Sequence, residues 1–82
     1  MNIPNLVRDY IVKSLAVGIM ETDLEDHDSL LEKGILNSTG VLELIDFLEQ
    51  QFGITCADDE VTPQNLDSLA SITSYVQRKM LA

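Results

Sequence analysis

Basic residues are scarce in this chain: five Lys and Arg stand against 14 Asp and Glu, for a net charge of −9 over 82 residues. Such a surface has few cations with which to meet phosphates, so nucleic-acid binding is excluded. An anionic membrane surface is equally unsuitable. The acidity is instead suited to basic patches on protein partners, mainly by steering their encounter. Cysteine occurs once, which rules out an internal disulfide and any multi-cysteine metal site and fits a cytoplasmic setting. No apolar run approaches the roughly 20 residues of a membrane span. Met1-Asn2-Ile3-Pro4-Asn5 lacks the basic-then-apolar order of a secretion signal. Repeats and low-complexity segments are absent.

What remains is one small domain, residues 1–82, with a single core and no room for a second. Its apolar share of 45% is ample for a globular interior. The most informative stretch runs from Leu36 to Phe52. Val41, Ile45, Leu48 and Phe52 recur at helical spacing with Leu44 beside them, while Glu43, Asp46, Glu49 and Gln50 fall opposite. Asn37 and Ser38 stand just ahead, where a helix needs side-chain oxygens for its first free N–H groups. A serine hydroxyl at a helix N-terminus is also well placed to carry a phosphate, because the exposed N–H groups and the helix dipole favour an anion. Taken alone, though, a serine here reads as a plain cap.

Glu32-Lys33-Gly34-Ile35-Leu36-Asn37-Ser38, followed by Val41-Leu42-Glu43-Leu44-Ile45, resembles the acyl carrier protein family and its peptidyl and aminoacyl relatives. The resemblance spans about Leu6 to Val76. It implies that Ser38 is covalently modified with 4′-phosphopantetheine, donated by coenzyme A through a phosphopantetheinyl transferase. The thiol of that arm would carry acyl groups as thioesters. Two positions depart from the family pattern: Asn37 stands where Asp is usual, and Thr39 where a large apolar residue is usual. The lost charge bears on docking of a modifying enzyme, whereas Asn caps a helix about as well as Asp.

The rest of the chain is consistent with an all-α, small antiparallel four-helix bundle of three main helices and one short one. Ile3, Leu6, Val7, Tyr10, Ile11 and Leu15 predict a first helix of about four turns, begun by Pro4 and stopped by Gly18. Residues 19–37 form a long acidic connection that includes Glu21 and Asp23, with Met20 a gap-filler. Near its end Ser29-Leu30-Leu31-Glu32 fits a capping box that buries Leu30 and Leu31. Ile35 and Leu36 tuck in ahead of Ser38. Gly53 ends the central helix, and Ile54 to Ala57 continues as a strand-like segment. Thr62-Pro63 starts a very short helix through about Leu66. Asp67 or Ser68 caps the last helix, with Leu69, Ile72, Val76 and Met80 facing inward.

The candidate functional residues follow. Glu43, Asp46 and Glu49 form either the wet face of the helix or a docking stripe for acyl-loading and acyl-processing enzymes with basic surfaces. Phe47 is ambiguous between core packing and partner contact. The resemblance makes the region near Cys56 part of the acyl cavity, and Leu48, Ile54, Cys56, Leu66 and Leu69 are expected to line it beneath Ser38. Asp23 to Asp28 fails the EF-hand pattern, since position six is Asp28 and position twelve Gly34, so no metal site is expected. His27 has nothing in the sequence to orient it as a base toward Ser38. The reading is a freestanding, monomeric acyl carrier protein without catalytic activity, serving fatty-acid, polyketide or related secondary-metabolite biosynthesis. The alternative is an unmodified all-helical interaction module.

Overall fold

The computed structural model describes residues 2–15 and 24–81. Asn2 opens the first helix, α1 (Ile3–Tyr10), by accepting the Asn5 N–H at 3.2 Å, and Pro4 sits in the first turn, where a missing N–H costs nothing. The chain continues through Ile11–Leu15 as a π-helical turn, rather than as the unbroken α-helix of four turns that periodicity predicts. Ile11, one turn after buried Val7, is fully buried, while Val12 and Leu15 are half-buried against the core. Gly18, Met20, Glu21 and Asp23 lie outside the described residues.

The central helix, α2, spans Ser38–Phe52 and ends at Gly53, whose φ of 67° is a left-handed cap that glycine adopts without strain. Leu44 and Leu48 are its fully buried residues, with Val41 and Ile45 at the flank of the buried face. A short helix, α3 (Pro63–Leu66), and the last helix, α4 (Leu69–Leu81), complete a small bundle of four helices. In it α4 packs against α1, α2 and α3. Residues 54–57 have no regular structure and are held by side chains, Cys56 N–H on Glu49 and Ala57 N–H on Glu60, and the described residues contain no strand. No helix among them is long and apolar enough to cross a membrane.

The helix ends refine the expected caps. Ser68, not Asp67, caps α4: its hydroxyl accepts the Ser71 N–H at 3.1 Å. Thr62 precedes α3 but uses its carbonyl, not its side chain, to receive Asn65 and Leu66. Leu69, Ile72, Tyr75 and Val76 face the core, whereas Met80 lies at the exposed end. The Ser29 capping box forms only in part. Glu32 N–H reaches Ser29 Oγ at 3.2 Å, yet residues 30–34 make a turn rather than a helix. Leu30 is fully buried there, but Leu31 remains 45% exposed. The Lys33 N–H bonds the Ser29 carbonyl as in a helix, and Gly34 at φ 71° ends the segment after that one turn.

A polar tie joins α4 to the 3₁₀ turn at Asp58–Glu60. Glu60 Oε1 accepts Lys79 Nζ at 2.9 Å, the Ala57 N–H at 3.0 Å and the Tyr75 hydroxyl at 3.2 Å. The Lys79 bond, then the Ala57 N–H, holds the Glu60 carboxyl below its ordinary 4.5. A carboxylate whose folded value is depressed stabilises the fold above its unfolded value and loses that contribution as pH falls through the folded one. Lys79→Met is therefore expected to lower the melting temperature at neutral pH. Its difference from wild type should close as the pH drops below 4.5, which thermal melts across pH would show. A gap that stays constant into acid would remove the ion pair as its cause.

Candidate functional site

The site begins with the cap of α2. Asn37 adopts extended backbone, and its Oδ1 accepts the Gly40 N–H at 2.8 Å while its carbonyl receives Val41 at 2.8 Å. Asn37 thus performs the capping, and Ser38 is left as the first helical residue. Ser38 is exposed, and its hydroxyl makes no hydrogen bond among the described residues. The N–H groups of Ser38 and Thr39 are likewise without a partner there, as the first turn of any helix leaves them. A free hydroxyl, unpaired N–H groups and the positive end of a 15-residue helix coincide at one surface point, an arrangement suited to a phosphate ester. Gly40, which the sequence reading passes over, is buried where a Cβ would stand 3.7 Å from Leu15 and 3.8 Å from the Ile35 carbonyl. The start of α2 therefore leans on the first helix and on the connection before it.

The acidic stripe is shorter than expected. Glu43 and Asp46 are exposed, and Asp46 Oδ1 accepts Gln50 Nε2 at 2.8 Å. Glu49 is turned away: its Oε2 accepts the Cys56 N–H at 2.9 Å, tying the segment after α2 back onto the helix. Phe47 is half-buried, stacked on Tyr10 with centroids 4.0 Å apart and edge-on to Phe52 at 6.1 Å. Tyr10, Glu43, Asp46 and Phe47 border a depression of about 520 Å³. Partial burial, and then the carboxylates of Glu43 and Asp46, push the Tyr10 phenol above its ordinary 10.0. Leu42, beside Glu43, is 69% exposed.

Four of the five residues expected beneath Ser38, Leu48, Ile54, Leu66 and Leu69, share one buried core, and Cys56 packs against it. Leu48 and Leu69 are enclosed in the core, and Ile54 edges a depression beside Met80. Cys56 is half-buried near Tyr75, whose phenol is pushed up by burial and then by the adjacent Cys56 thiol and Glu60 carboxylate. Only Leu66 reaches the apolar cleft near the start of α2, a space of about 150 Å³ that it shares with Leu31, Leu36, Val41, Val61, Thr62 and Pro63. Helix rise explains why Leu48 does not reach that cleft. Leu48 lies ten residues beyond Ser38, about 15 Å down the axis, whereas Val41 is one turn away, the spacing that could have found it. His27 is exposed and borders a different depression with Arg78.

No family model matches the chain. It is 34% identical to the D-alanyl carrier protein of Abiotrophia defectiva over 59 residues, 71% of this chain and 75% of that one. It is 25% identical to the probable acyl carrier protein PigG of a Serratia strain over 76 residues, 89% of this chain and 87% of that one. Among solved structures it matches a holo acyl carrier protein from Nitrosomonas europaea over the whole of both chains, with 28% identity and a TM-score of 0.81. It also matches a chain in the crystal structure of an FAD-dependent dehydrogenase, with 27% identity and a TM-score of 0.77 over 85% of this chain and 97% of that one.

Proposed function

The chain belongs to the acyl carrier protein family of phosphopantetheine-dependent carriers, and from that premise we propose that Ser38 is its attachment site and that it carries acyl groups. The observation behind this reading is the division of labour at the start of α2. Asn37 satisfies the helix, which leaves the Ser38 hydroxyl exposed and unengaged. The residues present fit a phosphodiester there. Ser38 supplies the ester oxygen, the N–H groups of Ser38 and Thr39 face the same end of the helix, and the neutral Asn37 adds no like charge. When bound, the 4′-phosphopantetheine arm supplies a terminal thiol that holds acyl cargo as a thioester.

Glu43 and Asp46 present charge beside Ser38 for the phosphopantetheinyl transferase and for cargo-handling enzymes with basic docking surfaces, and exposed Leu42 adds apolar contact between them. The cleft of Leu36, Val41 and Leu66 contains no charged side chain, which favours an uncharged acyl group over one bearing an ammonium. A single half-buried cysteine suits the reducing cytoplasm. The test is an intact-mass measurement after incubation with coenzyme A and a broad-specificity phosphopantetheinyl transferase. Gain of one phosphopantetheine mass, mapped to the peptide containing Ser38, is the expected result. An unchanged mass would favour an unmodified interaction module.

A further inference from the structure

Asp67 stands between α3 and α4, in sequence far from Ser38, yet its hydrogen bonds converge on the turn that leads into Ser38. Its Oδ2 accepts the Ser29 hydroxyl at 2.7 Å across 38 residues of chain. Its Oδ1 accepts the Leu31 N–H at 2.9 Å, and its carbonyl accepts the Leu30 N–H at 2.7 Å. The Leu30 carbonyl in turn receives the N–H groups of both Ile35 (2.9 Å) and Leu36 (3.2 Å). Gly34, at φ 71°, reverses the chain between them. Ile35 and Leu36 are each 5% exposed, and the next two residues are the cap Asn37 and Ser38. The bonds thus run from Asp67 through the turn as far as Leu36, two residues before Ser38.

The carboxylate is not otherwise employed. Ser68 caps α4, so Asp67 is free to face the turn. The turn is closed on itself by bonds from the Glu32 N–H to Ser29 Oγ, the Lys33 N–H to the Ser29 carbonyl and the Gly34 N–H to the Leu31 carbonyl. But residues 31–34 are exposed, and the Lys33–Asp28 pair is a 3.6 Å surface contact of the kind worth little. The bonds that fix the outer part of the turn to another element therefore come from Asp67. Bonds to an ionised carboxylate are roughly twice as strong as neutral ones. Burial of Leu30 keeps the turn attached, while Asp67 decides how it is oriented.

We propose that Asp67 is a positioning residue for Ser38, presetting the geometry in which the start of α2 is offered to the modifying enzyme. The inference rests on the reading of Ser38 as the attachment site, and the experiment separates the two. Steady-state phosphopantetheine transfer is measured with wild type, Asp67→Ala, Asp67→Asn and Ile72→Val. The last is a fully buried control in α4 that lowers stability and leaves every hydrogen bond between Asp67 and the turn in place. Amide signals of residues 37–39 are followed by NMR in each unloaded protein.

Asp67→Ala is expected to lower kcat/KM about tenfold and to shift the signals of residues 37–39. Asp67→Asn, which keeps an acceptor for Leu31, recovers most of the rate. Ile72→Val loads like wild type. Ser29→Ala removes one arm of the clamp and gives a smaller loss in the same direction, which keeps the test usable if Asp67→Ala does not fold. Loading of Asp67→Ala at the rate of Ile72→Val, or unshifted signals at residues 37–39, overturns the proposal. A wild type that gains no mass overturns the Ser38 reading, and the amide signals still report whether Asp67 orders that segment.

Discussion

Ser38→Ala gains no phosphopantetheine mass under conditions that load wild type fully, and it melts within about 2 °C of wild type. The second half of this expectation comes from the structure. A serine at a helix start invites the assumption that its hydroxyl is the cap, and removing a cap costs about 1 kcal/mol. Here the cap oxygen belongs to Asn37, bonded to the Gly40 N–H at 2.8 Å, while the Ser38 hydroxyl is exposed. Asn37→Ala is the variant that loses the cap, and at about 1 kcal/mol it should melt some 4–8 °C lower. Intact mass and thermal melts on the two variants separate attachment from capping. A mass gain on Ser38→Ala would move the site elsewhere, and a large drop in its melting temperature would return the cap to the hydroxyl.

Leu48→Ala has the largest expected effect on stability. Leu48 is fully buried in the middle of α2, so truncation leaves a cavity that close-packed neighbours fill only in part. A loss of about 2–5 kcal/mol is expected, a large fraction of the stability of a domain this small. At about 4–8 °C per kcal/mol, the melting temperature should fall by more than about 10 °C. Urea denaturation gives the same quantity as a shift in midpoint at unchanged slope. A cost below about 1 kcal/mol would show that the centre of the bundle is loosely packed. Leu42→Ala on the same helix removes a side chain that is 69% exposed and should leave stability nearly unchanged, so the pair tests the orientation of α2.

Why α2, α3 and α4 were legible in the sequence, and other features were not, has a physical explanation. Their limits are written in local chemistry: Asn37 ahead of an apolar period, Gly53 at a left-handed cap, Pro63 in a first turn, Ser68 ahead of the last periodic run. The position of the Ser38 hydroxyl at the exposed start of α2 was legible for the same reason. The features that were not legible depend on partners or geometry that a local pattern does not show. Ser29 to Glu32 has the pattern of a capping box, and Ser29 Oγ does accept the Glu32 N–H, but its hydroxyl donates to Asp67, 38 residues away, a partner that local pattern does not reveal. Glu49 belongs to a row of carboxylates by periodicity, yet the Cys56 N–H draws it from that row. Leu48, Cys56 and Leu69 do share or border one core, but the rise of α2 keeps Leu48 from the cleft at the start of that helix. The π-helical turn at Ile11–Leu15 leaves no mark on a pattern of apolar residues that suits an α-helix equally well.

The stack of Tyr10 on Phe47 has an optical consequence. The chain contains no tryptophan and only two tyrosines, so its near-ultraviolet emission is that of two phenols. Tyr75 is buried with its hydroxyl on Glu60. Tyr10 sits at the rim formed with Glu43 and Asp46, where a protein settling on α2 alters its solvent and neighbouring charges. The acidic face of this carrier therefore contains a native fluorophore, and Tyr75→Phe would leave it the sole emitter, reporting each arrival and departure without an attached dye.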